Sequence, residues 1–214
     1  MTPVPARPAV SVIPLRDGPE GLEAFVQHRQ LTMDFAAGVV VFPGGRCDPS
    51  DQVVGAALPL PDSVVAEHVR RWSGLDGTTD DAELLVRTRL ATGVRELAEE
   101  TGYVADPTDL LPWDCWVTPE GAPKRFDVAF FVLPVEREGP QPVHLTSEAV
   151  DSCWEAITSL LADHAAGDVR LMTPTRVLLE ELRDLGTLAS VLALQPVITG
   201  VRDDRAGVRP RLRQ

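Results

Sequence analysis

The chain has 214 residues, a net charge of −12, 44% hydrophobic residues and 24% charged residues. That composition suits one globular domain with a core of good size, and the acidity argues against a nucleic-acid backbone or an anionic membrane as partner. No apolar run of roughly eighteen residues predicts a membrane span, and the first residues, Met-Thr-Pro-Val-Pro-Ala-Arg-Pro, lack the core of a signal peptide, so a cytoplasmic location is expected.

Residues 9–15 and 22–28 read as two strands, joined by a turn over Arg16–Gly21. Residues 38–42 read as a third, apolar strand stopped by Pro43-Gly44-Gly45. An insert over 47–80 follows, opening on Asp48-Pro49-Ser50-Asp51; inside it, Val64, Val65, His68, Val69 and Trp72 predict a short helix over 62–72. Asp80 then stands as an N-cap with Glu83 three residues on, the pattern of a capping box. Val86, Leu90, Val94 and Leu97 recur as one buried helical stripe, and Gly93 predicts close packing of this helix against the Gly44-Gly45 loop. Strands over 113–118, 126–135 and 148–154 come next, with helices over 155–165 and 173–186, the last having Pro174 in its first turn. The Arg-rich tail 201–214 is expected to fray. Mixed strands with flanking helices predict an α/β/α sandwich with a mixed sheet, in a single domain over 1–214. An insert of this size cannot hold its own core, so Val64, Val65, Val69 and Trp72 are expected to pack on the main domain or across a homodimer contact.

The long helix carries Arg95-Glu96-Leu97-Ala98-Glu99-Glu100-Thr101-Gly102. Glu96, Glu99 and Glu100 stand at i, i+3 and i+4, which gathers them on one face outside the apolar stripe. Like charges this close repel, and a hard divalent cation, Mg²⁺ or Mn²⁺, relieves the repulsion. A solvated acidic face is the other reading of such a cluster. Arg95, one turn before Glu99, is placed to orient it, and Gly102 follows as a left-handed C-cap.

Gly44-Gly45 followed by Arg-Glu-x-x-Glu-Glu-x-Gly resembles the box of the Nudix hydrolases: Gly, five residues, Glu, seven residues, then Arg-Glu-U-x-Glu-Glu-x-Gly-U with U aliphatic. Arg95 to Gly102 match the second half, with Tyr103 in the last aliphatic place. Gly45 and Arg95 lie 50 positions apart where the compact box has 14, so about 36 extra residues interrupt the motif. The Glu eight residues before the Arg is replaced by Arg87, and Glu83 or Asp81 could take over its part. The resemblance implies the Nudix sandwich and hydrolysis of a diphosphate linked to another moiety, X. It assigns metal ligation to Glu99 and Glu100, a third ligand or general base to Glu96, an orienting role to Arg95, and backbone contact with metal or phosphate to Gly45.

Arg29, Phe35, Gly38 and Phe42-Pro43-Gly44-Gly45, with Thr118-Pro119 and Pro123-Lys124-Arg125-Phe126-Asp127, also resemble the coenzyme A diphosphatase branch of that family. This implies a small-molecule nucleotide conjugate as substrate, coenzyme A or an acyl-coenzyme A, with Arg29, Lys124 and Arg125 as candidate phosphate contacts. Surface ion pairing is the plainer reading of Arg29 and Arg125. ADP-ribose or NADH hydrolysis, and a nucleotide-sensing protein without catalysis, are the alternatives. Glu148 is either an additional ligand or base, or a solvated strand-edge charge.

Cys47, Cys115 and Cys153 are widely spaced with no Cys-x-x-Cys pair. They predict small buried residues, with neither a zinc site nor a disulfide framework. His28, His68, His144 and His164 show no ligand spacing.

Overall fold

The structure, a computed structural model, describes residues 4–30, 38–75 and 81–199, with the backbone of 201–202. Phe35, Asp80 and residues 203–214 of the tail lie outside the described residues.

Two long strands, β1 (Arg7–Gly18) and β2 (Gly21–Arg29), form a hairpin. β3 (Val40–Val41) and β4 (Gly44–Arg46) follow, then α1 (Pro49–Ala57), α2 (Asp62–Trp72) and α3 (Ala82–Thr101). β5 (Leu111–Val117), β6 (Phe126–Pro134) and β7 (Ala149–Ala156) precede α4 (Ile157–Ala166), α5 (Thr173–Leu185), α6 (Leu188–Ala193) and the short β8 (Val201–Arg202). The sheet runs β3-β2-β1-β6-β5-β8, with β4 on β1 and β7 on β2. β1 and β6 pair in parallel and β2 pairs antiparallel with β1, β3 and β7, so the sheet is mixed.

The central strands are apolar on both faces, as strands covered twice must be. On β1, Val10 and Val12 face one side and Ile13 and Leu15 the other. On β6, Phe131 and Leu133 join the first side and Phe130 and Val132 the second. α2 and α3 cover the first side; α4, α5 and α6 cover the second. The predicted α/β/α sandwich is therefore the observed fold.

Differences from the expected elements have local causes. The expected strand 38–42 is paired only at Val40–Val41, because Pro43 interrupts it and the Gly pair resumes pairing as β4 against Val10 and Ser11. α3 is capped by Asp81, whose carboxylate accepts from the Leu84 amide at 3.3 Å, one residue later than the capping box proposed on Asp80. Gly93 makes room for Leu110, just before β5, and for Val10 of β1, not for the Gly44-Gly45 loop: a Cβ there would lie 2.7 Å from Leu110 Cδ2 and 3.3 Å from Val10 Cγ1. α1 went unforeseen, although Asp48 before Pro49 is a helix start. Within the insert, Leu60, Val65 and Trp72 are buried against the sheet, the Trp72 ring lying 5.6 Å from that of Phe131 and beneath the Arg89 guanidinium.

Removing the Trp72 side chain opens a cavity between α2 and β6. Trp72→Ala is expected to lower stability by about 3–5 kcal/mol, read from the urea midpoint. A loss below ~1 kcal/mol would mean that the insert does not share the main core.

Candidate functional site

α1 lies close against α3 because Gly55 has no side chain. A Cβ at Gly55 would sit 2.6 Å from the Arg87 carbonyl oxygen. Asp51, one turn before Gly55 and on the same face, is thereby pressed towards α3, and only 3% of its side chain is exposed. Its carboxylate accepts from four donors: Arg95 Nε and Nη2, both at 2.8 Å, the Thr92 hydroxyl at 2.9 Å and the Asp48 amide at 2.9 Å. Burial pushes this carboxyl up, but the Arg95 bond and the Asp48 and Thr92 donors outweigh it, and it ends below the usual carboxylate range.

Arg95 divides its guanidinium between this anchor and the acidic cluster. Nη1 donates to Glu96 Oε1 at 2.9 Å and to Glu99 Oε2 at 3.0 Å, while Nη2 also meets the Arg46 carbonyl at 3.1 Å. The fork is bidentate on Asp51, the geometry that guanidinium and carboxylate match best.

Asp51 is thus the carboxylate that holds the motif arginine. It stands six positions after Gly45, with five residues between, and the extra residues fall after it. The roles proposed for Glu83 and Asp81 are corrected: Glu83 is exposed on the first turn of α3 and Asp81 is its N-cap. Arg87 donates to the Leu58 carbonyl at 2.9 Å, closing the end of α1. The spacing Gly-x₅-Asp was the available signal; an acid one methylene shorter than Glu, ahead of an insertion, concealed it.

Glu100 lies deepest of the three glutamates. It is 8% exposed and accepts from the Gly44 amide at 2.9 Å and from Gln27 Nε2 at 3.1 Å. Burial pushes its carboxyl up to about 7; the charges of Glu96 and Glu148 add to this, and the Gly44 and Gln27 donors offset part of it. Glu96 is also raised, chiefly by burial, with Arg95 pulling the other way. Glu99 is 60% exposed and meets solvent. Gly45 is a close approach: a Cβ there would run into the Glu96 carboxylate. Among the described residues the glutamate oxygens do not form a trio within 4.8 Å of one another, because Arg95 holds two of them and Gly44 and Gln27 the third.

These groups border a cavity of about 910 Å³. Glu96, Glu99, Glu100, Arg95 and Gly45 line it; so do Arg29 and Glu148, which pair at 2.9 Å, and Arg170, which sequence reasoning missed. Phe42, Trp116, Val128 and Phe130 supply an apolar wall. Lys124 and Arg125 do not line this cavity, and Arg125 donates to the Thr118 and Val4 carbonyls at 3.0 and 2.7 Å, fastening the entry of β6 to the N-terminal segment.

If Asp51 anchors Arg95, Asp51→Ala should cost roughly 3–5 kcal/mol, the range for breaking a buried pair. Asp81→Ala should cost only about 1 kcal/mol, as for a lost cap. Chemical denaturation of both variants measures the contrast, and equal losses would remove the anchor role.

No protein-family model matches the chain. A curated Caenorhabditis elegans protein named as nudix hydrolase 7 is 24% identical over 153 residues, which are 68% of this chain and 50% of that protein. The chain thus spans about half the length of that curated relative. A NUDIX hydrolase structure from Alicyclobacillus acidocaldarius superposes with a TM-score of 0.68 at 23% identity, covering 91% of this chain and 98% of that one. The NUDIX domain of Shewanella oneidensis NrtR, in complex with ADP ribose, superposes at 0.52 with 13% identity, covering 85% and 88%. With the Arg95 hub and its glutamates on α3, these likenesses establish that the chain has the fold of the Nudix hydrolases.

Proposed function

We propose that the chain is a metal-dependent diphosphatase acting on a nucleoside diphosphate linked to another moiety. The observation that carries this reading is the placement of Glu96, Glu99 and Glu100 beside the cavity, two held by Arg95 and the third buried at the root of the cluster. An all-oxygen set crowded in this way, with Glu100 pushed towards neutrality in the protein alone, suits Mg²⁺ or Mn²⁺. Glu96, Glu99 and Glu100, with the bare backbone of Gly45, would hold the ion. Bound there, it would neutralise charge on the diphosphate and lower the pKa of an attacking water.

The chain's own groups prepare the rest. Arg95 fixes the azimuth of Glu96 and Glu99 through an anchor that lies outside the cavity's reach. Gly45 leaves room for the Glu96 carboxylate against β4. Arg29 and Arg170 offer guanidinium groups to phosphate oxygens, and the wall around Trp116 offers an apolar face to a base or to X.

For the substrate, the resemblance around Arg29–Gly45 and Thr118–Asp127 favours coenzyme A or an acyl-coenzyme A, cleaved to 3′,5′-ADP and a phosphopantetheine. With Arg125 committed elsewhere, Arg29 and Arg170 become the candidates for the 3′-phosphate. ADP-ribose is the second reading, favoured by the bound ADP ribose of the Shewanella domain. A panel of coenzyme A, dephospho-coenzyme A, ADP-ribose and NADH with Mg²⁺ and Mn²⁺, read by product mass, separates them. The expected result is cleavage of coenzyme A, with Arg29→Ala raising KM for it more than for dephospho-coenzyme A. Turnover of ADP-ribose alone would overturn the coenzyme A assignment, and binding without turnover of any conjugate would favour a nucleotide sensor.

Glu99→Gln and Glu100→Gln are isosteric and should keep the fold while lowering kcat by orders of magnitude and weakening Mn²⁺ binding. Full activity in both would overturn the site.

Cation affinity should also depend on pH. Glu100 is raised from 4.5 to about 7, so without a cation its contribution to stability is complete below pH 4.5 and is lost as pH climbs through 7. A cation displaces that proton, so Mn²⁺ should bind about tenfold more tightly at pH 8 than at pH 6. Calorimetric titration checks this, and Glu100→Gln should flatten the profile.

A further inference from the structure

A second polar cluster lies on the other face of β2. Gln27 reaches Glu100 on the α3 side, so its neighbour His28 projects towards the α4–α5 side. There it meets β7, which pairs with β2 in a register that sets Val26 opposite Cys153 and Ala24 opposite Glu155. Cys153 and Glu155, two apart on one strand, share a face. His28 Nε2 lies 2.5 Å from Glu155 Oε1, and Cys153 Sγ lies 3.6 Å from the same oxygen. Among the described residues these are the only three His, Cys, Asp or Glu ligand atoms within 4.8 Å of one another. None of the three lines the cavity of the glutamate site.

The geometry points to a second metal site here, in which His28 Nε2, Cys153 Sγ and Glu155 carboxylate bind one zinc-like divalent ion, with an open fourth position. The donor set is one nitrogen, one sulfur and one oxygen. It differs in kind from the all-oxygen cluster on α3: thiolate and imidazole select borderline ions of the zinc type, and carboxylates alone select Mg²⁺ or Mn²⁺. Bond lengths of roughly 2.0–2.3 Å to zinc separate neighbouring ligands by about 3–4 Å around a tetrahedron. The Cys153–Glu155 spacing already falls there, and the His28–Glu155 spacing opens by under about 1 Å once the proton they share has gone.

Two features of the surroundings favour a cation. The Asp151 and Glu155 charges both act on His28 and on Cys153, so the pocket carries a negative field. The side chains of His28 and Glu155 are 29% and 21% exposed, which leaves the site open to solvent. Strand alternation sends His28 to this cluster and the next residue, Arg29, to the cavity. No spacing along the chain reveals the cluster, because strand pairing joins His28 to residues 125 and 127 positions further on.

Cobalt titration of the chelator-treated full chain tests the site, because only a thiolate ligand gives Co²⁺ an intense near-ultraviolet charge-transfer band. One equivalent of Co²⁺ should develop the band, Zn²⁺ should abolish it and excess Mg²⁺ should leave it unchanged. Cys153→Ser and Cys153→Ala should each lose the band, and His28→Ala should weaken Co²⁺ binding at that site at least tenfold. Circular dichroism of the metal-free variants verifies that they are folded. Glu99→Gln should retain the band, which separates this site from the proposed hydrolytic one. Absence of the band in the wild type, or its survival in both Cys153 variants, would overturn the proposal.

Discussion

The bidentate pair between Arg95 and Asp51 is the constraint on which the rest of the site depends. A row of glutamates on a helix has no fixed shape; the side chains are long and repel one another. Arg95 gives two of them a shape by holding Glu96 and Glu99 with one nitrogen. It can do so because its other two nitrogens are bound by a carboxylate that cannot move: Asp51 is buried and takes four hydrogen bonds. The insertion therefore begins just after a residue that the site needs, and α1 packs against α3 through Gly55 to deliver that residue.

The two faces of β2 carry two kinds of polar chemistry. On one face Gln27 steadies a carboxylate that burial has driven to about 7. On the other, His28 shares a proton with Glu155 beside a thiol. Strand alternation sends the adjacent residues Gln27 and His28 to opposite faces, which keeps the two clusters apart.

Much of the fold was legible in the sequence because its elements are amphipathic with clean periods. Of the stripe Val86, Leu90, Val94 and Leu97, Val94 is half-buried and the rest are at or below 2% exposure, and the apolar β6 is central. Helix 62–72 matches α2 residue for residue, since its buried Val65, His68 and Trp72 follow the helical repeat. The site was legible where it is local, from Arg95 to Gly102. It was illegible where it depends on contacts across the chain. Asp51 lies 44 residues before Arg95, and nothing short of the packing of α1 on α3 shows that they meet. Arg125 entered as a candidate through the family resemblance, and its bonds to two backbone carbonyls are visible only in three dimensions. The His28–Cys153–Glu155 cluster is likewise a product of register between β2 and β7, which no spacing along the chain records.

A double-mutant cycle on Mn²⁺ affinity, with Asp51→Ala, Arg95→Ala and the pair, tests the central claim most directly, since it needs no knowledge of the substrate. If Asp51 acts on the glutamates only through Arg95, each single change should weaken Mn²⁺ binding and the double variant should be no weaker than the Arg95 variant, leaving a large coupling term. Additive losses, or an Asp51 variant that binds Mn²⁺ as well as the unaltered chain, would contradict the account.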